Sequence, residues 1–139
     1  MDPRLNIVTL GVRDVARAVR FYRDGLGWKA AVEVGDFALF ELGGVALALY
    51  PHGLLAEDAG VAPGPRAFGG VTLAQNVASR EMVDRVIASA CAAGATLLRD
   101  ASEKNWGGYS GYFGDPDGHP WEIAYNPHFR LDNRGRLVF

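Results

Sequence analysis

From Leu5 to Val12 the chain is rich in apolar, largely β-branched residues and reads as a strand. A helical period follows. Val15, Val19, Tyr22 and Leu26 fall at i, i+4, i+7 and i+11 along one helical face, with Asp14 placed as N-cap and Gly25 and Gly27 placed to end the helix. Three more strands are predicted at about residues 28–34, 36–42 and 45–50, with Gly35 and Gly43-Gly44 at the hairpin turns. Residues 51–67, rich in Gly, Pro and Ala, read as a linker.

The same grammar then returns. A strand is predicted from Gly70 to Asn76, followed by a helix capped by Ser79 whose apolar stripe is Val83, Val86, Ile87, Ala90 and Cys91 and which Gly94 closes. Ala95 to Arg99 reads as a strand, and Tyr109 to Gly114 and His119 to Tyr125 as a hairpin around Asp115-Pro116-Asp117-Gly118, a sequence suited to a type I turn. Cys91 sits on the predicted core stripe and reads as a small core residue rather than a reactive thiol. Both halves therefore spell βαβββ, and the weak internal repeat predicts an α+β fold of two modules, about 5–50 and 68–126, in one domain with a tail over 127–139. Each short helix must lie on the sheet of its own module, which leaves the opposite sheet faces free to line a cleft.

Composition narrows the trade. The 139 residues carry 14 basic and 16 acidic side chains, a net charge of −2 that offers no footprint for nucleic acid. The start of the chain runs straight into strand-like sequence, so neither a secretory signal nor a membrane span is expected, and the expected compartment is the cytoplasm. One cysteine and three histidines leave few soft or nitrogen ligands for a metal.

The most informative stretch runs from Trp106 to Ile123, with Asp115-Pro116-Asp117-Gly118 and then Glu122 on the next strand. With Val12-Arg13-Asp14-Val15, Phe21-Tyr22 and Gly25-Leu26-Gly27 in the first half, it resembles the glyoxalase / bleomycin-resistance / extradiol-dioxygenase superfamily, the vicinal oxygen chelate proteins. The resemblance implies a glyoxalase-like cleft of curved mixed sheets. It also implies four metal positions, one from each of four strands, which fall here on Ile7, Ala48, Gly70 and Glu122. Only Glu122 could ligate, so no metal and no cofactor is expected. His52 in the linker, His119 after the turn and His128 in the tail share no ligand spacing with Glu122.

A cleft without those ligands is a pocket of apolar walls with a few polar anchors. Alternation turns Glu122 and Ala124 into it and Trp121, Ile123 and Tyr125 towards the helix. In fosfomycin-resistance relatives a Tyr ten residues before the metal-site Glu faces the ligand; Tyr112 has that spacing, and Ser110 would share its face. Trp106, between permissive loop residues, is positioned to stack on a planar ring or to cover its own loop. Tyr50 and Phe40 are assigned the inward parity of Ala48, with core packing the stronger expectation for Phe40, and Thr9 and Thr72 are the polar neighbours on the first strands.

Two functions follow from the resemblance. One is metal-independent binding of a small aromatic or amphipathic molecule, similar to the bleomycin-resistance proteins that sequester drugs. The other is a glyoxalase-like lyase, isomerase or dioxygenase, with a rearranged metal site or with Glu122 as general base and Tyr112 as acid. The resemblance also implies a homodimer; the tail reads as a segment packed over the second module.

Overall fold

The computed structural model describes residues 5–62, 69 and 71–138. The chain divides into two units, Met1–Gly69 and Gly70–Phe139, each an α+β module of helices on one mixed four-stranded sheet.

In the first unit β1 (Ile7–Val12) leads into α1 (Val15–Val19), whose first turn is closed by the Asp14 side chain accepting from the Arg17 N–H at 2.9 Å. The expected single helix changes type partway. Arg20–Gly25 forms a π-helical turn in which the Leu26 N–H reaches back five residues to the Phe21 carbonyl, so the adjacent Phe21 and Tyr22 are both buried and Leu26 is only half-buried. Three strands complete the sheet: β2 (Ala30–Val34), β3 (Phe37–Glu41) and β4 (Ala46–Pro51), in the order β1-β4-β3-β2 with β1 and β4 parallel. Its helix side holds Leu10, Val12, Ala38, Phe40, Leu47 and Leu49, all buried. Tyr22 and Trp28 close over Phe40 with ring centroids at 5.9 and 6.2 Å. The expected linker is not wholly irregular, because α2 (His52–Asp58) follows β4 directly and packs on β1 and β4.

The second unit has the sheet order β5-β8-β7-β6, built from β5 (Leu73–Asn76), β6 (Thr96–Glu103), β7 (Tyr109–Gly114) and β8 (Pro120–Tyr125). β5 begins later than expected, and Gly70 lies outside the described residues. β6 is longer than expected and carries two register shifts. α3 (Arg80–Ala92), capped by Ser79, lays Val83, Ile87 and Ala90 on the sheet; Val86 and Cys91 lie at the margin of that stripe and are half-buried rather than core. Helix and sheet approach closely at Gly111: a Cβ there would lie 2.8 Å from Ile87 Cδ1 of α3 and 2.8 Å from the Ala101 N of β6. The Asp-Pro-Asp-Gly turn is organised by the buried Asp115, whose carboxylate accepts from the N–H groups of Asp117 and His119 and holds the His119 ring at 2.9 Å. His119 is thus a turn residue. The tail folds back as a hairpin of β9 (Arg130–Leu131) and β10 (Leu137–Val138) turned by Asp132, with a pocket of about 210 Å³ between Phe129, Leu131, Tyr125, Asn126, Val77 and Ala78.

Candidate functional site

Side-chain direction in each sheet follows from its register. In the second unit Tyr109, Gly111 and Phe113 face α3: Tyr109 donates to Asp84 at 3.0 Å, and Phe113 stacks on Trp121 at 6.4 Å. Arg80 ties the same side together, reaching Glu103 at 2.7 Å and lying 5.1 Å over the Tyr125 ring. Alternation therefore places Ser110 and Tyr112 on the opposite, open face, and pairing places Ala124 and Glu122 beside them. The expectation that Glu122 and Ala124 share a face apart from Trp121, Ile123 and Tyr125 matches this register.

Two rows cross the open face. One runs Arg99, Tyr112, Glu122, Ala74; the next runs Ser102, Ser110, Ala124, Asn76. In the first row the Tyr112 phenol lies beside the Glu122 carboxylate and is held above its usual pKa, first by burial and then by the charge and hydrogen-bonding influence of Glu122, with Arg99 acting in the opposite sense. The phenol therefore keeps its proton. In the second row Ser110 is 1% exposed and its Oγ has no hydrogen-bond partner. At the β6 edge the Lys104 Nζ donates to the Ser102 Oγ at 2.9 Å, which brings a second cation to that side. Trp106 lies in the loop joining β6 and β7, 41% exposed, with its indole across Gly108, where a Cβ would fall 1.6 Å from the ring. It covers its own loop while keeping an exposed aromatic face. Thr72 lies exposed just before β5, outside the paired ladder, and is not brought beside Glu122.

In the first unit the open face carries Ile7, Thr9 and Gly11 of β1, Ala46, Ala48 and Tyr50 of β4, and Phe37 and Leu39 of β3. Thr9 and Tyr50 are thus neighbours of Ala48, as expected, and Tyr50 meets Phe37 edge-on at 6.4 Å. Phe40 is a correction. Glu41 pairs with Ala46 across a four-residue turn, so odd positions of β3 share a face with even positions of β4; Ala48 faces Leu39, and Phe40 is fully buried against Tyr22 and Trp28. His52, expected in a linker, opens α2 and seats its ring over Gly11, where a Cβ would lie 2.9 Å from Nδ1; its Nε2 is buried without a partner. His128 is exposed in the tail. Arg99, Ser102 and Lys104 were not expected at the site, because only the paired register of β6 brings them beside Tyr112 and Ser110.

A family model for the glyoxalase/bleomycin resistance protein/dioxygenase superfamily matches residues 4–123. The chain belongs to this superfamily. A glyoxalase-related enzyme from Fulvimarina pelagi is 36% identical, with a TM-score of 0.91 over 99% of this chain and 98% of that one. A glyoxalase/bleomycin resistance protein/dioxygenase from Nocardioides is 26% identical, with a TM-score of 0.74 over 95% and 91% of the two chains. A lactoylglutathione lyase from Agrobacterium tumefaciens shares the fold at 23% identity and a TM-score of 0.69, over 91% of this chain and 96% of that one. No curated protein matches the sequence.

The metal that the family implies does not fit the residues present. Ile7 and Ala48 do reach the open face of their sheet, yet they bring only hydrocarbon to it, and Gly70 has no side chain to offer. Among the described residues no group of three or more His, Cys, Asp or Glu is placed to hold an ion. Glu122 instead has Tyr112 as its cross-strand neighbour. Among the described residues no helix is long and apolar enough to cross a membrane.

Proposed function

We propose that the protein binds a small aromatic or amphipathic molecule without a metal, in the manner of the bleomycin-resistance branch, and that the open face of the second unit is its seat. The single observation that carries this reading is the Ser110 hydroxyl, buried and unpartnered one row from the paired Tyr112 and Glu122. A buried hydroxyl left unpaired costs about 1–3 kcal/mol, and a bound ligand's polar group recovers that cost. Trp106 supplies the aromatic surface, where stacking adds about 0.5–1.5 kcal/mol beyond area burial. Ser110, Tyr112, Glu122 and Trp106 are the binding residues of this proposal.

The test is in two parts. Protein purified without chelator is assayed for bound Ni, Zn, Fe and Mn, and titrated with bleomycin and a panel of planar aromatic metabolites while tryptophan emission is followed. Stoichiometric metal, or a panel that leaves emission and melting unchanged, overturns the proposal. Quenching that disappears in Trp106→Phe supports it.

A second reading is favoured by the pairing of Tyr112 with Glu122, since a protonated phenol beside a carboxylate is an acid–base pair. Here the protein is a metal-free enzyme, Glu122 the general base and Tyr112 the acid, in keeping with neighbours described as a glyoxalase-related enzyme and a lactoylglutathione lyase. Glu122→Gln would then leave ligand binding largely intact and abolish turnover. We also propose a cytoplasmic homodimer: light scattering should give twice the 14.9 kDa chain mass, and a monomer in dilute solution would refute it.

A further inference from the structure

We infer that the open face of the second unit is built for a zwitterion: Arg99 takes its anionic end, Glu122 its cationic or donor end, and the buried Ser110 hydroxyl a polar atom between. This rests on the small-molecule reading above and adds the ligand's charge pattern to it.

The argument is geometric. Arg99, Tyr112 and Glu122 occupy one row on three adjacent strands. Strands are about 4.8 Å apart, so Arg99 and Glu122 stand roughly 10 Å apart at their backbones with the Tyr112 ring between. A ligand lying across Tyr112, with a hydrogen-bond length taken at each end, carries opposite charges roughly 4–7 Å apart, the span allowing for the reach of two long side chains. The sign of the field across the face is consistent with this. On the β6 side stand Arg99 and Lys104, the latter anchored to Ser102; on β8 stands the carboxylate of Glu122; the β5 positions in the same two rows, Ala74 and Asn76, are uncharged. Arg99 is exposed and makes no ion pair among the described residues, whereas Arg23, Arg80 and Arg136 are each committed to a carboxylate.

Ser110 provides the independent sign of a ligand. A buried hydroxyl inside a sheet ordinarily finds an acceptor, and this one has none although it lies one row from Tyr112 and Arg99. The face thus has an unused cation at one side, a carboxylate at the other and an unsatisfied hydroxyl among them. A purely anionic ligand would meet the repulsion of Glu122; a purely cationic one would leave Arg99 without a partner.

The test uses 4-(aminomethyl)benzoate, a planar aromatic zwitterion, against benzoate and benzylamine, each read by calorimetry and by the shift in melting temperature. The expected result is that the zwitterion binds at least tenfold more tightly than either singly charged compound, since each charge-assisted hydrogen bond contributes about a factor of ten or more. Arg99→Gln should reduce zwitterion affinity about tenfold and leave benzylamine unchanged; Glu122→Gln should reduce it similarly and leave benzoate unchanged. Ser110→Ala should melt a few degrees higher without ligand, because it removes the unpaired hydroxyl, and should gain less from the zwitterion. Benzoate or benzylamine binding as tightly as the zwitterion overturns the inference while leaving small-molecule binding standing. If none of the three binds although members of the neutral aromatic panel do, the inference alone fails; if neither set binds, both fail.

Discussion

At Gly111 strand β7, and with it Ser110 and Tyr112, is packed closely against both α3 and β6. In Gly111→Ala the new methyl would lie 2.8 Å from Ile87 Cδ1, 2.8 Å from the Ala101 N and 2.9 Å from the Ala101 Cα. Carbon contacts prefer about 3.5–4.0 Å, so the neighbours must retreat by roughly 0.7–1 Å. Ile87 can move by changing rotamer; the Ala101 backbone moves only by pulling the edge strand β6 from β7. Two ladder hydrogen bonds at about 1 kcal/mol each, added to the 1–3 kcal/mol of overpacking, give a cost of about 3–5 kcal/mol. Against it stand about 0.8 kcal/mol for burying the methyl and about 0.4–1 kcal/mol from the stiffer unfolded chain. The net is a destabilisation of about 1–4 kcal/mol. For a chain of this size that is a fall in Tm of roughly 3–15 °C, read by circular dichroism with a matching drop in urea midpoint. An unchanged or raised Tm would refute the reasoning. Adding Ile87→Val should recover only part of the loss, because the Ala101 backbone remains; full recovery would mean that the strand yields freely.

Phe40→Ala should cost about 3–5 kcal/mol by urea unfolding, as expected for a fully buried ring packed on Tyr22 and Trp28, and Phe40→Leu much less. Gly108→Ala must displace the Trp106 indole; the resulting shift in tryptophan emission should vanish when Trp106→Phe is made in the same chain. The Asp132 carboxyl is held below the usual carboxylate range, first by the Arg136 backbone N–H and then by its guanidinium. Its contribution to the β9–β10 turn is therefore complete above the unfolded carboxyl's pKa and lost as pH falls through the lower folded value. The protection of the Arg134 and Arg136 amides, taken relative to the intrinsic exchange rate at each pH, should fall across that acidic window and should stay constant in Asp132→Asn.

The repeat of strand, helix and three strands was legible because period and punctuation changed together in both halves; the faces of Tyr112 and Ser110 followed from the likeness to fosfomycin-resistance relatives, and that of Glu122 from alternation. Phe40 shows where that reasoning stopped. Parity within a strand is a local property, whereas parity between strands depends on how many residues the turn takes up, and Gly43-Gly44 did not disclose a four-residue turn closed by Leu42 and Val45. Arg99 was missed for a related reason: two irregularities in β6 break its alternation, so its place opposite Tyr112 exists only in the paired sheet. The short α2 was hidden in a Gly- and Pro-rich context that reads as a linker, since a helix of seven residues owes its existence to packing on β1 and β4 rather than to propensity.

The π-helical turn at Arg20–Gly25 closes rings one residue larger than those of an α-helix. A surplus residue is thus stored between Val19 and Leu26. Deleting one exposed position there, such as Asp24, lets the turn relax to ordinary α-helix with both flanks in place. The same deletion in β4 would swap its core-facing residues with those facing outward. Chain length is consequently negotiable at this turn and rigid one strand away, and gaps among relatives of differing length should gather at the end of the first helix and spare the sheets.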